Sequence, residues 1–312
     1  MFYPIIIASL LVGVFAAAIP DVSSTLQNIL KNTDRSDKYT YPTDLTRGIL
    51  PKPFHSHNDY WRDVPFYSGL SYGAISTEAD VWLINGTLYV GHELSALTTS
   101  RTLESLYIAP ILDTLHRQNP LTAFSPSPTK HGVFDTSSDQ TLYLFIDLKT
   151  DGASTWAAVL SALEPLLKQG YLSTADGSTF TTGPVTIIGT GNTPLDPILS
   201  ASPRYAFYDA HLPLLSTAES NITSAISPIA STNFDTSIGP VRSQAFNATQ
   251  LEILRDQVKT AHEKGIKVRY WNQPEYPIGT RNAVWRILWD EGVDILNVDD
   301  LKAAAGFWEE TG

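Results

Sequence analysis

The sequence of 312 residues predicts a single-domain α/β fold, a (β/α)8 TIM barrel, on three observations. From Lys52 onward, short apolar runs alternate with longer helix-like stretches, the pattern of a parallel sheet covered by helices. Residues 51–306 number 256, close to the ~250 such a barrel occupies. No glycine-rich phosphate fingerprint follows the first strand, which counts against an open doubly wound sheet with the same alternation. Hydrophobic residues make up 43% and charged residues 17%, an ordinary globular composition.

The elements follow in chain order. Met1–Ala18 carries no charge, and Ile5–Ala18 is an apolar run closed by three alanines. That run is shorter than the ~20 residues of a spanning helix and has the form of a secretion signal. The expectation is cleavage near Ala18, and a mature chain without a stable membrane span that is secreted or kept in the secretory pathway or vacuole. Sequons at Asn85, Asn221 and Asn247 fit that route and offer sites for N-glycans. Residues 19–50 are polar and read as an N-terminal tail or a wrapping segment, with the barrel domain assigned to 51–312.

Strands are expected at Lys52–His57, Ile75–Ile84, Leu142–Lys149, Val185–Gly189, Tyr205–Asp209, Ile266–Trp271 and Val293–Val298. Helices are expected at Leu103–Asn119, Ser154–Gln169, Ala248–Lys264, Thr280–Glu291 and Leu301–Trp308. Asn85-Gly86 is a hairpin-turn signal, while Phe124–Lys130 and the Thr/Ser/Asn-rich Ser216–Ser237 read as loops.

Charge and cysteine content narrow the function. With 21 basic and 32 acidic side chains the net charge is −11, which repels phosphate backbones, so nucleic acid is not an expected partner. There is no cysteine, so disulfides, thiolate metal sites and cysteine nucleophiles are excluded.

The strands carry charges at unusual places. Side chains alternate across a strand, so Leu142, Leu144, Ile146 and Leu148 share the face that packs on helices. Asp147 and Lys149 then point into the barrel at the C-terminal end of their strand, where barrel active sites are built. Glu78 and Asp80 likewise share one face. Neighbouring interior carboxylates repel and are costly to desolvate unless neutralised. One hard divalent cation on Glu78, Asp80 and Asp147 would neutralise them, Mg²⁺ being the first choice and Ca²⁺ or Mn²⁺ alternatives. An ion-pair network such as Asp147 with Lys149 would serve as well.

Histidines gather on the same elements: His55 and His57 on the first strand, and His92 across the hairpin from Glu78. Imidazole exchanges protons near neutral pH, which makes these three acid–base candidates. His116, His131, His211 and His262 read as structural. Tyr60, Trp61, Trp82 and Trp271 are candidates to pack on lipid or glycerol at the mouth.

The segments FHSHNDYWR (Phe54–Arg62), EADVWL (Glu78–Leu83), VGHE (Val90–Glu93) and FIDLKT (Phe145–Thr150) together resemble the phospholipase C-like phosphodiesterase superfamily. That group includes glycerophosphodiester phosphodiesterases and sphingomyelinase D-type phospholipases. Within it the HxHNDY start is similar to the fungal altered inheritance of mitochondria protein 6 family. YWN (Tyr270–Asn272) and GVDILNVDD (Gly292–Asp300) extend the likeness to the last strand.

The resemblance implies a barrel that cleaves a small-molecule or lipid phosphodiester with one divalent metal and two histidines. By motif, Glu78, Asp80 and Asp147 match metal ligands, and Lys149 the phosphate-contacting lysine. His92 matches the second catalytic histidine, and Trp271 a tryptophan lining the substrate mouth; inward-facing Arg269 would assist at the phosphate. For the first histidine the His-x-x-Asn spacing favours His55, with His57 close behind. Two other readings fit the residues: a non-catalytic phosphate- or lipid-binding barrel, and a metallohydrolase of another class built on the HxH pair.

Overall fold

In the computed structural model, residues 22–33, 36–242 and 244–308 are described. The expected signal segment therefore lies outside the described residues. The chain divides into two units, residues up to Tyr41 and residues from Pro42 to the C-terminus. The first carries one short helix, Ser24–Thr33, with no buried side chain.

The second unit is the barrel. Its strands are β1 (Lys52–Ser56), β2 (Ala74–Ile84), β3 (Thr87–Val90), β4 (Leu142–Leu148), β5 (Thr174–Asp176), β6 (Thr179–Thr181) and β7 (Val185–Gly191). β8 (Phe207–Tyr208), β9 (Ala210–His211), β10 (Ile229–Asn233), β11 (Lys267–Trp271) and β12 (Ile295–Val298) follow. The hydrogen-bonded order is β8-β7-β4-β2-β1-β12-β11-β10-β9, every adjacent pair parallel. Only Asp209 separates β8 from β9, so these two short pieces act as one interrupted staircase that brings the ring round to its start. β5 and β6 form a separate small hairpin.

Strand alternation builds two chemically different surfaces. Ala79, Val81, Leu144, Ile146, Leu148 and Ile187 are fully or almost fully buried in the apolar layer with the helices. The lumen instead holds polar pairs in register, His55 beside Ser76, Asp80 beside Asp147 and Ser231 beside Arg269, with Glu78 beside the apolar Phe145. The outer layer supplies the hydrophobic stabilisation, leaving the lumen free to carry charge.

Several details differ from the sequence expectation; the helix expected over Ser154–Gln169, for one, is two helices, Gly152–Ala162 and Glu164–Lys168, with Pro165 in the first turn of the second. β10 lies inside Ser216–Ser237, read above as a loop. Only Ile229 and Ala230 of its five residues are apolar, too few for a periodicity signal. The strand expected at Tyr205–Asp209 is split at Asp209. The helix expected over Leu103–Asn119 is a wide turn, Glu104–Ile108, followed by an α-helix, Ala109–Gln118, with Pro110 at the junction because proline has no N–H to give.

Residues 42–50 belong to the barrel unit. Thr46 is buried there, its hydroxyl donating to the Val133 carbonyl and accepting from Gln118 and the Asp135 N–H. No helix among the described residues is long and apolar enough to cross a membrane.

Candidate active site

A cavity of about 730 Å³ opens at the C-terminal end of the barrel strands. Its wall includes His57, Glu78, Asp80, His92, Asp147, Lys149, Arg269 and Trp271. Eight of the nine side chains expected from the sequence thus share one space; His55 does not line it.

Local structure explains the convergence. Asn85 and Gly86 both have positive φ, 51° and 81°, the turn whose twist suits a hairpin, and it folds β3 back along β2. The Gly91 N–H then bonds the Asp80 carbonyl at 3.1 Å, setting His92 beside the Asp80 carboxylate. On the far side, Gly191 ends β7 with φ +62°, and a Cβ there would lie 2.0 Å from Asp147 Oδ1. Glycine leaves room for that carboxylate.

Glu78, Asp80 and Asp147 each offer an oxygen within 4.8 Å of the others. Lys149 Nζ bridges two of them, 3.0 Å from Asp80 Oδ2 and 2.7 Å from Asp147 Oδ2. Glu78 Oε2 accepts from the Asn58 N–H at 3.1 Å and sits 3.5 Å from His55 Nε2.

The charge states follow from these contacts. Burial pushes the Asp80 carboxyl up to about 6, reinforced by repulsion from Glu78 and Asp147 and opposed by Lys149. Asp147 is raised for the same first reason, against the pull of Lys149. Burial opposes charge on Glu78 too, but hydrogen bonding from His55 and the positive His57 and Arg269 hold it below the ordinary range. Lys149 stays protonated, since the two carboxylates outweigh its desolvation. An all-oxygen, negatively charged trio is the donor set a hard divalent cation selects, so the residues fit Mg²⁺ or a similar ion.

The histidines separate by environment. His55 is fully buried, bonded to Ser76 Oγ at 2.7 Å, and burial together with the Arg269 charge lowers it to about 4. It is a neutral hydrogen-bonding strut under Glu78. His57 lines the cavity, with Nδ1 3.1 Å from Asp299 Oδ1. Burial disfavours its charged form, but Asp299 and Glu78 prevail and raise it above the usual imidazole value. The preference for His55 drawn from motif spacing therefore does not match the cavity; His57 is the first-strand imidazole placed there. His92 has Nδ1 3.2 Å from Asp80 Oδ2 and 3.0 Å from the Tyr60 hydroxyl.

Arg269 lies over the Phe145 ring at 4.4 Å, donates to Ser231 Oγ and Asn297 Oδ1, and faces Asp209 Oδ2 at 3.6 Å. It is a fixed positive charge in the cavity wall. Trp271 is partly exposed at the mouth and Trp61 packs edge-on to His92. Tyr60 is buried, and its hydroxyl bonds Asp80. Trp82 donates to the Gly91 carbonyl. Of the remaining histidines, His116 pairs with Gln169 and His262 with Asp294, while His211, read from the sequence as structural, also lines the cavity, with Nδ1 bonded to Glu219. Among the described residues the metal-sized cluster is Glu78, Asp80 and Asp147, without the first-strand histidines that a binuclear HxH centre would use.

Sequence reasoning missed Asp299, the Asn58 N–H and the Tyr60 hydroxyl as partners of these groups. Asp299 had a signal, since it directly follows the last strand.

A parallel barrel with carboxylates, lysine and imidazoles at the C-terminal mouth has the layout of a barrel enzyme. Consistent with that class, the AIM6-like phosphodiesterase domain matches residues 43–209. The chain is 53% identical over 309 residues to the altered inheritance of mitochondria protein 6 homolog of Arthroderma benhamiae, covering 95% of this chain and 97% of that one. It is 37% identical to the Eremothecium gossypii protein over 84% of this chain and 71% of that one. For the Saccharomyces cerevisiae RM11-1a protein the figures are 34%, 86% and 75%. The chain belongs to the altered inheritance of mitochondria protein 6 family.

Proposed function

We propose that this chain is a metal-dependent phosphoric diester hydrolase acting on glycerophosphodiester or lysophospholipid-type substrates, with His57 and His92 as the acid–base pair. The observation that carries the reading is the three-carboxylate cluster flanked by two cavity-lining histidines and Lys149. Glu78, Asp80 and Asp147 would hold one divalent cation, Mg²⁺ first. When bound it supplies positive charge against a phosphoryl oxygen.

The protein's own groups do the rest. Lys149 and Arg269 are cations positioned to bind the anionic phosphodiester and stabilise charge moving onto its oxygens. His92, whose Nε2 has no protein partner among the described residues, takes the proton from water or a substrate hydroxyl as that oxygen attacks phosphorus. His57, kept charged by Asp299 and Glu78, gives its proton to the departing alkoxide. Each transfer of this kind is worth ~10²–10⁴ in rate. Trp271 and Trp61 offer amphipathic surface to the glycerol or lipid portion. A secretory destination is part of the same proposal, with glycans at Asn85, Asn221 and Asn247, all exposed positions.

The test is ³¹P NMR of the purified chain with mixed glycerophosphodiesters and lysophospholipids, in Mg²⁺ and then in EDTA. Loss of diester signal only with metal is expected, and the product shift separates a monoester from a cyclic phosphate. A folded protein that binds Mg²⁺ and consumes no diester would overturn the reading.

A further inference from the structure

We propose that Tyr60 is the positioning residue for His92: its hydroxyl fixes the imidazole as the Nδ1–H tautomer and keeps Nε2 as the nitrogen offered to the substrate. The assignment rests on the acid–base role given to His92 above.

The Tyr60 ring is buried at 2% exposure, whereas the His92 side chain is 47% exposed. A half-exposed imidazole on a connecting segment has freedom to turn, so its orientation depends on what grips one edge. That edge is Nδ1, 3.0 Å from Tyr60 Oη and 3.2 Å from Asp80 Oδ2. The two rings lie nearly parallel, 6.4 Å apart at 17°, and Trp61 closes another side of His92 at 5.5 Å.

Counting protons decides the tautomer. The phenol has one proton to donate and two acceptors near it besides His92: Asp80 Oδ2 at 2.8 Å and Asn58 Oδ1 at 2.5 Å. Both are acceptors only, a carboxylate and an amide carbonyl. The phenolic proton goes to one of them, and the oxygen lone pairs remain for a donor. An Nδ1–H on His92 supplies that donor. The opposite tautomer would set a bare Nδ1 against the phenol and a carboxylate oxygen, with one proton among three acceptors. Asp80 Oδ2 is also bonded by Lys149, so Tyr60 is the less contested partner for Nδ1.

Tyr60 is itself held from behind. Arg101 donates to its backbone carbonyl, and the adjoining Asp59 carboxylate is tied to Ser56 Oγ, the Phe66 N–H and the Tyr107 hydroxyl. The phenol is therefore a rigid post, and a rigid partner on one ring nitrogen is what orients a catalytic imidazole.

The test is ¹⁵N NMR of histidine-labelled full chain, above the imidazole titration range, for wild type and Tyr60→Phe. Wild-type His92 is expected as a single Nδ1–H tautomer, and the variant as a mixture. The variant should lose roughly 10- to 100-fold in kcat, the range for removing an orienting partner, with KM unchanged. An Nε2–H tautomer in the wild type overturns the proposal, as does a Tyr60→Phe protein that keeps both the Nδ1–H tautomer and kcat. If Tyr60→Phe does not fold, Asp80→Asn replaces it. His92 retaining Nδ1–H there supports Tyr60 as the anchor, and its loss transfers the role to Asp80. A wild type that hydrolyses no diester while its tautomer follows the Tyr60 hydroxyl upholds the positioning and removes the hydrolase reading.

Discussion

Lys149 Nζ sits between Asp80 and Asp147, 3.0 Å from one carboxylate and 2.7 Å from the other, and so competes for the oxygens a divalent cation would use. Lys149 neutralises the two carboxylates, and in the proposed reaction it would also meet the substrate phosphate. Lys149→Met should lower kcat/KM by about 100-fold, the scale for losing one charge-stabilising donor. Mg²⁺ affinity, read by isothermal titration calorimetry, should be unchanged or tighter. A weaker Mg²⁺ affinity would show that Lys149 supports the metal site instead of competing with it.

The Asp80 carboxyl, lifted to about 6 by burial and by its carboxylate neighbours, gives the metal-free protein an unusual pH response. Between the unfolded value near 4 and the folded value near 6, the native state holds a proton that the unfolded chain has released. Stability contributed by Asp80 therefore falls as pH rises through that window, opposite to a salt-bridged carboxylate. A divalent metal bound there would take the proton's place, so its affinity should weaken below pH ~6, up to tenfold per pH unit for one displaced proton. Thermal melts in EDTA from pH 4 to 7.5 should show this decline in wild type and not in Asp80→Asn. Identical pH profiles for the two proteins would refute it.

His55 and His57, two residues apart, should respond differently to substitution. Removing buried His55 strands Ser76 Oγ and one side of Glu78, a loss of about 1–3 kcal/mol. In a domain this size that lowers Tm by several degrees, roughly 2–4 °C per kcal/mol. His57→Ala should lower Tm less than His55→Ala does and lose ~10²–10⁴ in kcat. Asp299→Asn should lower the His57 pKa, because Asp299 helps to raise it. As the proton donor, His57 works below its pKa, so the alkaline limb of the rate profile moves to lower pH. The same sign holds for stability: the contribution of His57 is complete below its unfolded value and is lost as pH passes its folded one. The assignment fails if His55→Ala removes turnover at unchanged Tm and metal affinity while His57→Ala remains active.

Much of this was legible in the sequence, for a physical reason. A β-strand alternates, so Leu142–Lys149 announces both its apolar outer face and the inward direction of Asp147 and Lys149. A positive-φ pair such as Asn85-Gly86 fixes the hairpin that returns His92 to Asp80. β10 was not legible, because its lumen-facing Ser231 and terminal Asn233 serve Arg269 and a helix cap instead of hydrophobic packing. The choice between His55 and His57 was not legible either. Both lie near the end of one strand and face the same way, and only the depth of the cavity floor tells them apart. The Tyr60 partnership depends on a turn in which Asn58 takes φ 48°, a conformation that no periodicity encodes.

Gly191 tests Asp147 as a metal ligand from the backbone side, without altering any carboxylate. Its φ of +62° disfavours an L side chain, and a Cβ would come within 2.0 Å of Asp147 Oδ1 and 2.9 Å of the Leu148 carbonyl. Gly191→Ala therefore carries two penalties: backbone strain of about 1–2 kcal/mol and displacement of Asp147. Gly239, with φ +86° and nothing within 4 Å of where a Cβ would sit, carries the first penalty alone. In EDTA both variants should lose stability, Gly191→Ala the more because of the added clash. Mg²⁺ affinity should fall at least about tenfold in Gly191→Ala, the loss expected when a ligand is misplaced, and stay at the wild-type value in Gly239→Ala. Equal Mg²⁺ affinity in the two variants would mean that the cation does not depend on Asp147, leaving Glu78 and Asp80 as its protein ligands.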